Sequence, residues 1–283
     1  MKIRCIASLA AAFMTLALSQ PVQAEDAPKE IKIATEGAYA PWNFTRADGK
    51  LDGLEIDLAN DLCARMKIKC TIVAQDWDGL IPSLTVGKFD VIMASMFITP
   101  KRLETIDFTK PYAVDPSGFA VSKDSPLGKL GVSTEKFKLD DQASALAAIE
   151  KLKPLLKGKV VGVQAATTNL DFLKKYFADT VEIREYKTTE QHDLDLAAGR
   201  IDALFAQQTS LVATLKKPEF AEYTVAGPGF VGGVFGLGTG AGLRKQDTKL
   251  KEMLNAAIDS AIADGTIKRI SEKWVGTDVT PLK

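Results

Sequence analysis

The feature that most constrains the fold of this chain is an alternation of strand and helix patterns that runs twice along it. From Glu30 onward, short β-branched stretches such as "IKIAT" and "CTIVAQ" alternate with amphipathic stretches such as "LEIDLANDLCARM". Such alternation predicts βαβ units and a parallel sheet. The rhythm begins again at "KVVGVQ" and continues through "IDALFAQ". We therefore expect an α/β protein of two similar lobes, each a mostly parallel sheet flanked by helices.

The segments between and after the two series suggest how the lobes are joined. Residues 122–159 contain a helical pattern, "QASALAAIEKLKPLL", which we interpret as an elaboration of the second lobe. The later run "GPGFVGGVFGLGTGAG" suits a crossover and hinge, because glycine permits backbone torsions that other residues resist. It does not match G-x-G-x-x-G, so we expect no dinucleotide site there. The predicted organisation is lobe 1 at 25–113, lobe 2 at 114–230, and a hinge return with the rest of lobe 1 at 231–283.

The first 24 residues have the pattern of a secretory signal peptide. A basic start is followed by an apolar stretch from Ile6 to Leu18 and by the small-residue exit "VQA". The alternative, a membrane anchor, is disfavoured because spanning a bilayer takes about 20 apolar residues. Cys5 lies at the front of the signal and not at its cleavage site, which argues against a lipid anchor. We expect cleavage after Ala24 and a free, exported, periplasmic protein.

Charge and length exclude some classes of partner. The chain has 36 basic and 36 acidic side chains, and the signal removes two of the basic ones. No basic cluster points to nucleic acid or to an anionic membrane surface. The roughly 260 residues that remain suit one large or two medium domains.

Two cysteines remain after the signal, Cys63 and Cys70 in "DLCARMKIKC". In an exported protein such a pair predicts a disulfide. It would join the end of a helix to the start of a strand. The alternative, a redox or metal pair, lacks the C-x-x-C spacing and a nearby histidine, so we expect no metal.

The stretch "MASMFITPKR" predicts an anion-binding turn at the end of a strand, "FDVIM". Thr99 suits a helix N-cap, and Pro100 suits the first helical position. Amides at a helix start attract an anion, and Arg102 can add a bidentate fork that matches a carboxylate. Ser95 adds a hydroxyl beside it. The alternative for an isolated arginine is a solvated surface position.

A second polar strand end belongs to the other series. "VGVQAATTN" places Gln164, Thr167 and Thr168 after a strand and before a helix. Ligands of open α/β sheets bind at the carboxyl ends of the strands. We therefore expect both strand ends to face one cleft between the lobes.

Several motifs in order resemble one family across the whole predicted mature chain. They are "ATEGAYAPWNF", "GLEIDLANDLCARM", "DWDGLIPSLTVGKFDVIMASMFITPKRLETIDFT", "VGVQAATT", "LAAGRIDALF" and "GAGLRK". The chain resembles the extracellular solute-binding proteins of family 3, which supply amino-acid ABC importers. The cysteine pair, Glu36 and the inserted segment resemble its opine-binding members within the branch for lysine, arginine, ornithine and histidine. The resemblance implies a type II periplasmic-binding-protein fold, a monomer, a membrane permease as partner and no cofactor.

The resemblance also implies roles for individual residues. Arg102 and Thr168 would hold an α-carboxylate, Tyr39 and Trp77 would sandwich the ligand's side chain, and Glu36 would face a cation at its far end. An aromatic face attracts such a cation by about 0.5–2 kcal/mol. Core packing for the two aromatics and a solvated charge for Glu36 are the alternatives. The predicted ligand contacts are Glu36, Tyr39, Trp77, Ala94, Ser95, Phe97, Arg102, Gln164, Thr168 and Gln207.

Two positions depart from binders of plain basic amino acids, which have a serine at Phe97 and an aspartate at Gln207. A free α-ammonium would lose its counter-charge here, whereas an alkylated amino group carrying a second carboxylate, as in octopine or nopaline, suits Gln207 better. The bulk of Phe97 argues the other way, since it could fill the space that the substituent needs. We expect the ligand to be an opine derivative of a cationic amino acid. The alternatives are plain arginine, lysine, ornithine or histidine, and another polar amino acid.

Two other classes of function remain open at this point. A periplasmic dehydratase on the same fold would need cleft acids, but Glu36 is the single obvious one, and we place the lone histidine, His192, at a solvated helix position. No nucleophile and base pair appears, so we expect no enzyme. A sensory module without a fused membrane segment could signal only in trans.

Overall fold

The computed structural model describes residues 28–281. The predicted signal peptide and its cleavage after Ala24 lie outside these residues. Within them, no helix combines the length and the apolar character that crossing a membrane requires.

Strands and helices alternate along most of the described chain, as the sequence pattern predicts. Numbered in chain order, the strands are β1 (Glu30–Thr35), β2 (Ala38–Tyr39), β3 (Asn43–Thr45), β4 (Leu51–Asp52), β5 (Lys69–Ala74), β6 (Val91–Ile92), β7 (Asp107–Phe108), β8 (Ser117–Ser122), β9 (Val132–Lys138), β10 (Val160–Gln164), β11 (Glu182–Tyr186), β12 (Ala203–Gln207), β13 (Tyr223–Val231) and β14 (Gly242–Leu243). The α-helices are α1 (Leu54–Met66), α2 (Leu80–Thr85), α3 (Pro100–Leu103), α4 (Gln142–Leu156), α5 (Thr168–Tyr176), α6 (Thr189–Ala197), α7 (Gln208–Thr214), α8 (Thr248–Ala263) and α9 (Thr266–Val275).

Lobe 1 is built on a five-stranded sheet with the order β5-β1-β6-β14-β7. β5, β1 and β6 are parallel, and β14 runs antiparallel to both of its neighbours because it returns from the other lobe. A small sheet of β2, β3 and β4 lies beside it. Helices α8 and α9 contact α1 and complete the core of this lobe.

Lobe 2 is built on a six-stranded sheet with the order β11-β10-β12-β8-β13-β9. Its first three strands are parallel, and β8 is antiparallel to both β12 and β13. A cluster of aromatic rings fills the core, including Phe172, Phe205 and Phe235. The predicted α/β fold with two lobes is confirmed, although the crossover strands make both sheets mixed.

Two extended segments carry the chain between the lobes, one between β7 and β8 and the other between β13 and β14. They lie side by side, since Tyr112 donates its amide to Thr239 O over 2.9 Å and Thr239 donates its own to Ala113 O over 2.9 Å. A paired crossover of this kind suits a hinge. The domain boundaries predicted from sequence at 113/114 and 230/231 remain predictions.

The predicted disulfide is present, and it joins Cys63 near the end of α1 to Cys70 in β5. Cys70 lies at the amino-terminal end of β5, next to Ile31 of β1. The carboxyl ends of the parallel strands β1, β5 and β6 lie at the other end of the sheet, toward the cleft. The bridge is therefore at the edge of the lobe 1 sheet that faces away from the cleft.

Candidate ligand-binding site

A cavity lies between the lobes, where β1 and β6 of lobe 1 and β10 and β12 of lobe 2 end. The carboxyl ends of parallel strands meet at this edge, which is where open α/β sheets place their ligands. All ten residues predicted from sequence line this cavity, together with Thr167 and Asn169. Their contact with a ligand remains a prediction.

The loops that leave β6 and β10 both contain a non-glycine residue in the left-handed region. Ser95 has a φ of 50° and Ala166 a φ of 57°. Such conformations are uncommon for residues with a β-carbon and occur most often where surrounding contacts hold them. The predicted strand "FDVIM" is shorter than expected, because β6 ends at Ile92 and the chain turns into the cavity wall from Ala94.

Arg102 lies in α3, at the position that the sequence predicts. Thr99 is the N-cap and accepts a hydrogen bond from the Arg102 amide, and Pro100 occupies the first position. The helix has four residues, so its dipole is short and the guanidinium is the main positive charge of the site. Burial lowers the pKa of Arg102 to about 10, and Asp171 opposes this effect.

The guanidinium of Arg102 is held on two sides. Its Nη1 donates to Phe97 O over 2.8 Å, and its Cζ lies 5.3 Å from the centroid of the Trp77 ring. Within residues 28–281, no carboxylate forms a salt bridge with it. The remaining N–H groups leave room for the bidentate carboxylate contact that arginine favours.

The start of α5 forms the lobe 2 side of this part of the cavity. Thr167 is the N-cap, since its Oγ1 accepts from the Leu170 amide over 3.2 Å and donates to Gln164 O over 2.7 Å. Thr168 and Asn169 follow and are buried. Asn169 was not predicted as a contact, and its Oδ1 accepts from Ser117 Oγ over 2.7 Å. The polar run "TTN" at the start of the helix was the one signal for it.

Gln207 comes from lobe 2 and bonds to two hydroxyl groups of lobe 1. Its Oε1 accepts from the Tyr39 hydroxyl over 2.9 Å and from Ser95 Oγ over 2.9 Å. The side chain is 2% exposed, and its Nε2 has no hydrogen-bond partner among the described residues. Both hydroxyls bond to the oxygen, so the atom of Gln207 that is left without a partner is the buried Nε2 donor.

Glu36 lies at the other end of the cavity, after β1. Gln164 Nε2 donates to its Oε1 over 2.6 Å, and the carboxyl is 7% exposed. Burial raises the pKa of Glu36 to about 7, although the bond from Gln164 lowers it. Trp77, whose ring lies against Arg102, also reaches across the cleft, since its indole N–H donates to Ala166 O of lobe 2 over 3.1 Å.

Further contacts join the lobes outside the cavity. The indole N–H of the fully buried Trp42 donates to Thr209 Oγ1 over 2.9 Å, and Thr209 donates to Asp115 Oδ2 over 2.6 Å. At the surface, Lys187 of lobe 2 and Asp76 of lobe 1 form an ion pair of 2.6 Å. These bonds belong to a closed arrangement of the two lobes.

His192 lies where the sequence did not place it. His192 is 2% exposed, so its prediction as a solvated residue is wrong, because α6 turns this side toward β10 and the ring of Tyr186. Phe97 lines the cavity, but its ring packs 5.7 Å from that of Phe235 in the core of lobe 2. Groups of three or more metal-ligating side chains are absent from residues 28–281.

Residues 31–277 match the model of one family, described as bacterial extracellular solute-binding proteins, family 3. The chain belongs to this family. The family predicted from the sequence is thus confirmed, and so is its two-lobed fold.

Relatives in family 3 are similar along nearly their whole length. An octopine-binding periplasmic protein of Rhizobium meliloti is 48% identical over 278 residues, covering 92% of this chain and 94% of that protein. A histidine-binding periplasmic protein of Salmonella typhimurium is 39% identical over 256 residues, covering 89% and 90%. Among solved structures, a periplasmic His/Glu/Gln/Arg/opine family-binding protein of Silicibacter pomeroyi in complex with lysine is 30% identical, with a TM-score of 0.70 over 88% of this chain and 99% of that one.

Proposed function

We propose that this family 3 protein captures an opine, a basic amino acid whose α-amino group carries a second carboxylate, in the cavity between its lobes. It then delivers the ligand to the permease of an ABC importer. The observation that carries the proposal is the polarity of Gln207, a residue of the cavity wall whose Nε2 donor has no partner among residues 28–281. A second carboxylate accepts from that donor, whereas a free α-ammonium would face it with donors of its own.

The other contacts supply the remaining groups of such a ligand. The free N–H groups of Arg102 receive the α-carboxylate, and Glu36 receives the guanidinium or ammonium at the far end. Tyr39 and Trp77 line the space between them and give that cation aromatic faces. The ring of Phe97 packs against that of Phe235, so much of its bulk belongs to the core of lobe 2.

The similarity to the octopine-binding protein supports the same ligand class, and the histidine-binding and lysine-bound relatives support the basic side chain. The proposal includes export with cleavage after Ala24, a periplasmic monomer, and binding without catalysis. Ligand bridges the lobes and stabilises the closed form to the extent that it binds that form better.

Isothermal titration of the purified mature protein with octopine, nopaline, arginine, lysine, ornithine and histidine tests the proposal. We expect the two opines to bind most tightly, with an affinity in the micromolar range or better, about −8 kcal/mol. If arginine bound at least as tightly as octopine, the proposed ligand would be a plain cationic amino acid and not an opine. Absence of binding by all six, or turnover of any of them, would contradict the proposal as a whole.

The same titration on Arg102→Ala locates the site. We expect binding to be lost because, among residues 28–281, no other lysine or arginine lines the cavity, whereas Lys101→Ala, an exposed neighbour in the same helix, should bind as the wild type does. Equal affinities of the two variants would place the ligand elsewhere.

A further inference from the structure

Glu55 is a fully buried carboxyl at the start of α1, outside the set of residues that line the cavity. No lysine, arginine or histidine forms a salt bridge with it within residues 28–281. A buried carboxylate without a cation must be stabilised by hydrogen bonds, and its partners show what it holds in place.

The two oxygens of Glu55 reach different loops of lobe 1. Oε1 accepts from the Ser95 amide over 2.7 Å and from the Tyr112 hydroxyl. Oε2 accepts from Asn43 Nδ2 over 2.6 Å, and Asn43 Oδ1 in turn accepts from the Gly37 amide over 2.8 Å. All of these contacts are buried, and every partner acts as a donor toward the carboxylate.

These contacts end at two of the three lobe 1 segments that line the cavity, those that follow β1 and β6. Ser95 has its left-handed φ of 50° while its amide points at Glu55, and its hydroxyl points at Gln207 of lobe 2. Gly37 follows Glu36 directly and has a φ of 73°. One carboxylate thus holds the backbone next to the predicted cation partner and next to the hydroxyl that orients Gln207.

The close approach of α1 to the β2–β3 region allows this arrangement. The amide of Glu55 donates to Trp42 O over 2.8 Å, which brings the first turn of the helix against the chain before Asn43. A β-carbon at Gly53 would lie 2.5 Å from the same oxygen, so a glycine is needed there.

We propose that Glu55 is a positioning residue for ligand binding, whose buried carboxylate sets the conformations of the cavity loops that follow β1 and β6, through Asn43 and Ser95. The inference rests on the proposed function, because it assumes that the ligand lies against these loops. Glu55 itself does not touch the ligand.

The polarity of the network gives a test by loss and rescue. Glu55→Gln keeps the oxygen that faces Ser95 and Tyr112 but places its amide NH₂ against the NH₂ of Asn43, so that two donors face each other. If the Asn43 amide rotates by 180° to avoid this, its NH₂ faces the Gly37 amide and two donors again meet. In the double variant Glu55→Gln/Asn43→Asp, the new carboxylate accepts from both the introduced side-chain amide and the Gly37 amide, and the formal charge is restored. We expect Glu55→Gln to bind octopine roughly tenfold more weakly, because a mispaired buried group shifts the loops that it holds.

The double variant should return to within about threefold of the wild type, and Asn43→Asp alone should bind worst because it opposes two carboxylates. The matched control is Asp57→Asn, the same chemical change in the same helical turn, whose partners Lys273 and Trp274 lie away from the cavity. It should bind as the wild type does. Undiminished binding by Glu55→Gln, or no rescue by the double variant, would overturn the proposal.

Amide hydrogen exchange measured by NMR supplies a readout that needs no ligand. We expect the amide of Gly37 to exchange at least tenfold faster in Glu55→Gln and to recover in the double variant. Unchanged exchange at Gly37 in Glu55→Gln would overturn the role of Glu55. A wild-type protein that binds none of the six ligands would instead contradict the proposed function, while the exchange result would still decide whether Glu55 holds the loop.

Discussion

At the scale of single residues, the selectivity of the cavity depends on which atoms are left free after the protein's own hydrogen bonds are made. Gln207 retains a donor because its oxygen already accepts from Tyr39 and Ser95. Glu36 retains one carboxylate oxygen, because the bond from Gln164 goes to the other. A ligand that satisfies these atoms must carry an acceptor near Gln207 and a cation near Glu36.

Gln207→Glu should reverse the preference between opines and plain amino acids. The glutamate can still accept from both hydroxyls, but the atom that faces the cavity changes from a donor to a negatively charged acceptor. We expect octopine to bind at least about tenfold more weakly and arginine to bind more tightly, as measured by isothermal titration. Gln208→Glu, the same change one position on and outside the cavity, should leave both affinities unchanged. Weaker binding of both ligands by Gln207→Glu would contradict the assigned polarity.

Ligand affinity should rise with pH, owing to Glu36. Its pKa is raised by burial to about 7, and a cationic ligand requires the ionised carboxylate. Binding therefore competes with a proton, and the dissociation constant of octopine should increase roughly tenfold as the pH falls from 8 to 6. Titrations at several pH values measure this, and Glu36→Gln should bind weakly with no such slope. An affinity independent of pH in the wild type would show that the ligand's cation lies elsewhere.

At the scale of secondary-structure elements, the site and the disulfide occupy opposite edges of the lobe 1 sheet. The cavity lies at the carboxyl ends of β1 and β6, and Cys70 pairs with Ile31 at the amino-terminal ends of β5 and β1. Stability and binding are therefore separable in this lobe. Removing the disulfide changes the entropy of the unfolded chain and so the free energy of unfolding. A substitution at the carboxyl ends of the strands changes the affinity for the ligand.

Replacing both cysteines by serine should destabilise the protein without weakening binding. Closing so short a loop contributes roughly 2.5 kcal/mol in the chain-entropy model. We expect urea denaturation to show a loss of about this size in the free energy of unfolding. The octopine affinity of the folded protein should stay within about twofold of the wild type. A large loss of affinity would show that the end of α1 is coupled to the cleft.

At the scale of the whole molecule, two paired crossovers and several direct bonds hold the lobes together. Asp115 lies in the first crossover, is 2% exposed, and accepts from Thr209, which also bonds to Trp42 of lobe 1. This chain connects the hinge to both lobes. The burial of the Asp115 carboxyl therefore affects the stability of the two-lobed protein as a whole, and not only that of one loop.

The ligand-free protein should become less stable as the pH rises through neutrality. Burial raises the pKa of Asp115 from 3.8 to about 7, so the folded state holds a proton that the unfolded chain releases. The contribution of this proton to the free energy of unfolding is fully present below about pH 4 and is lost as the pH rises through about 7. We expect the melting temperature to fall on the order of 5 °C between pH 5 and pH 8. The melting temperature of Asp115→Asn should fall less over this pH range, and that of Asp57→Asn should fall as much as the wild type's. An equal fall in all three proteins would exclude Asp115 as the cause.

The sequence by itself determined the local features of this protein. Thr99 and Pro100 predicted the start of α3, the two cysteines predicted their bridge, and the strand ends predicted that the segments of Arg102 and Thr168 meet in one cleft. These inferences depend on contacts between near neighbours in the chain or on the rule that parallel strands end at one edge, so a pattern of residues contains them.

Only the tertiary structure decided the polarity of the site. Gln207 meets Ser95 and Tyr39 across 112 and 168 residues of sequence, and no periodicity shows which of its atoms is left free. The burial of His192 and the network around Glu55 were missed for the same reason. A side chain's hydrogen-bond partners are set by the packing of distant elements, and the cost of leaving a buried polar atom unpaired is what selects among arrangements that the sequence pattern allows equally.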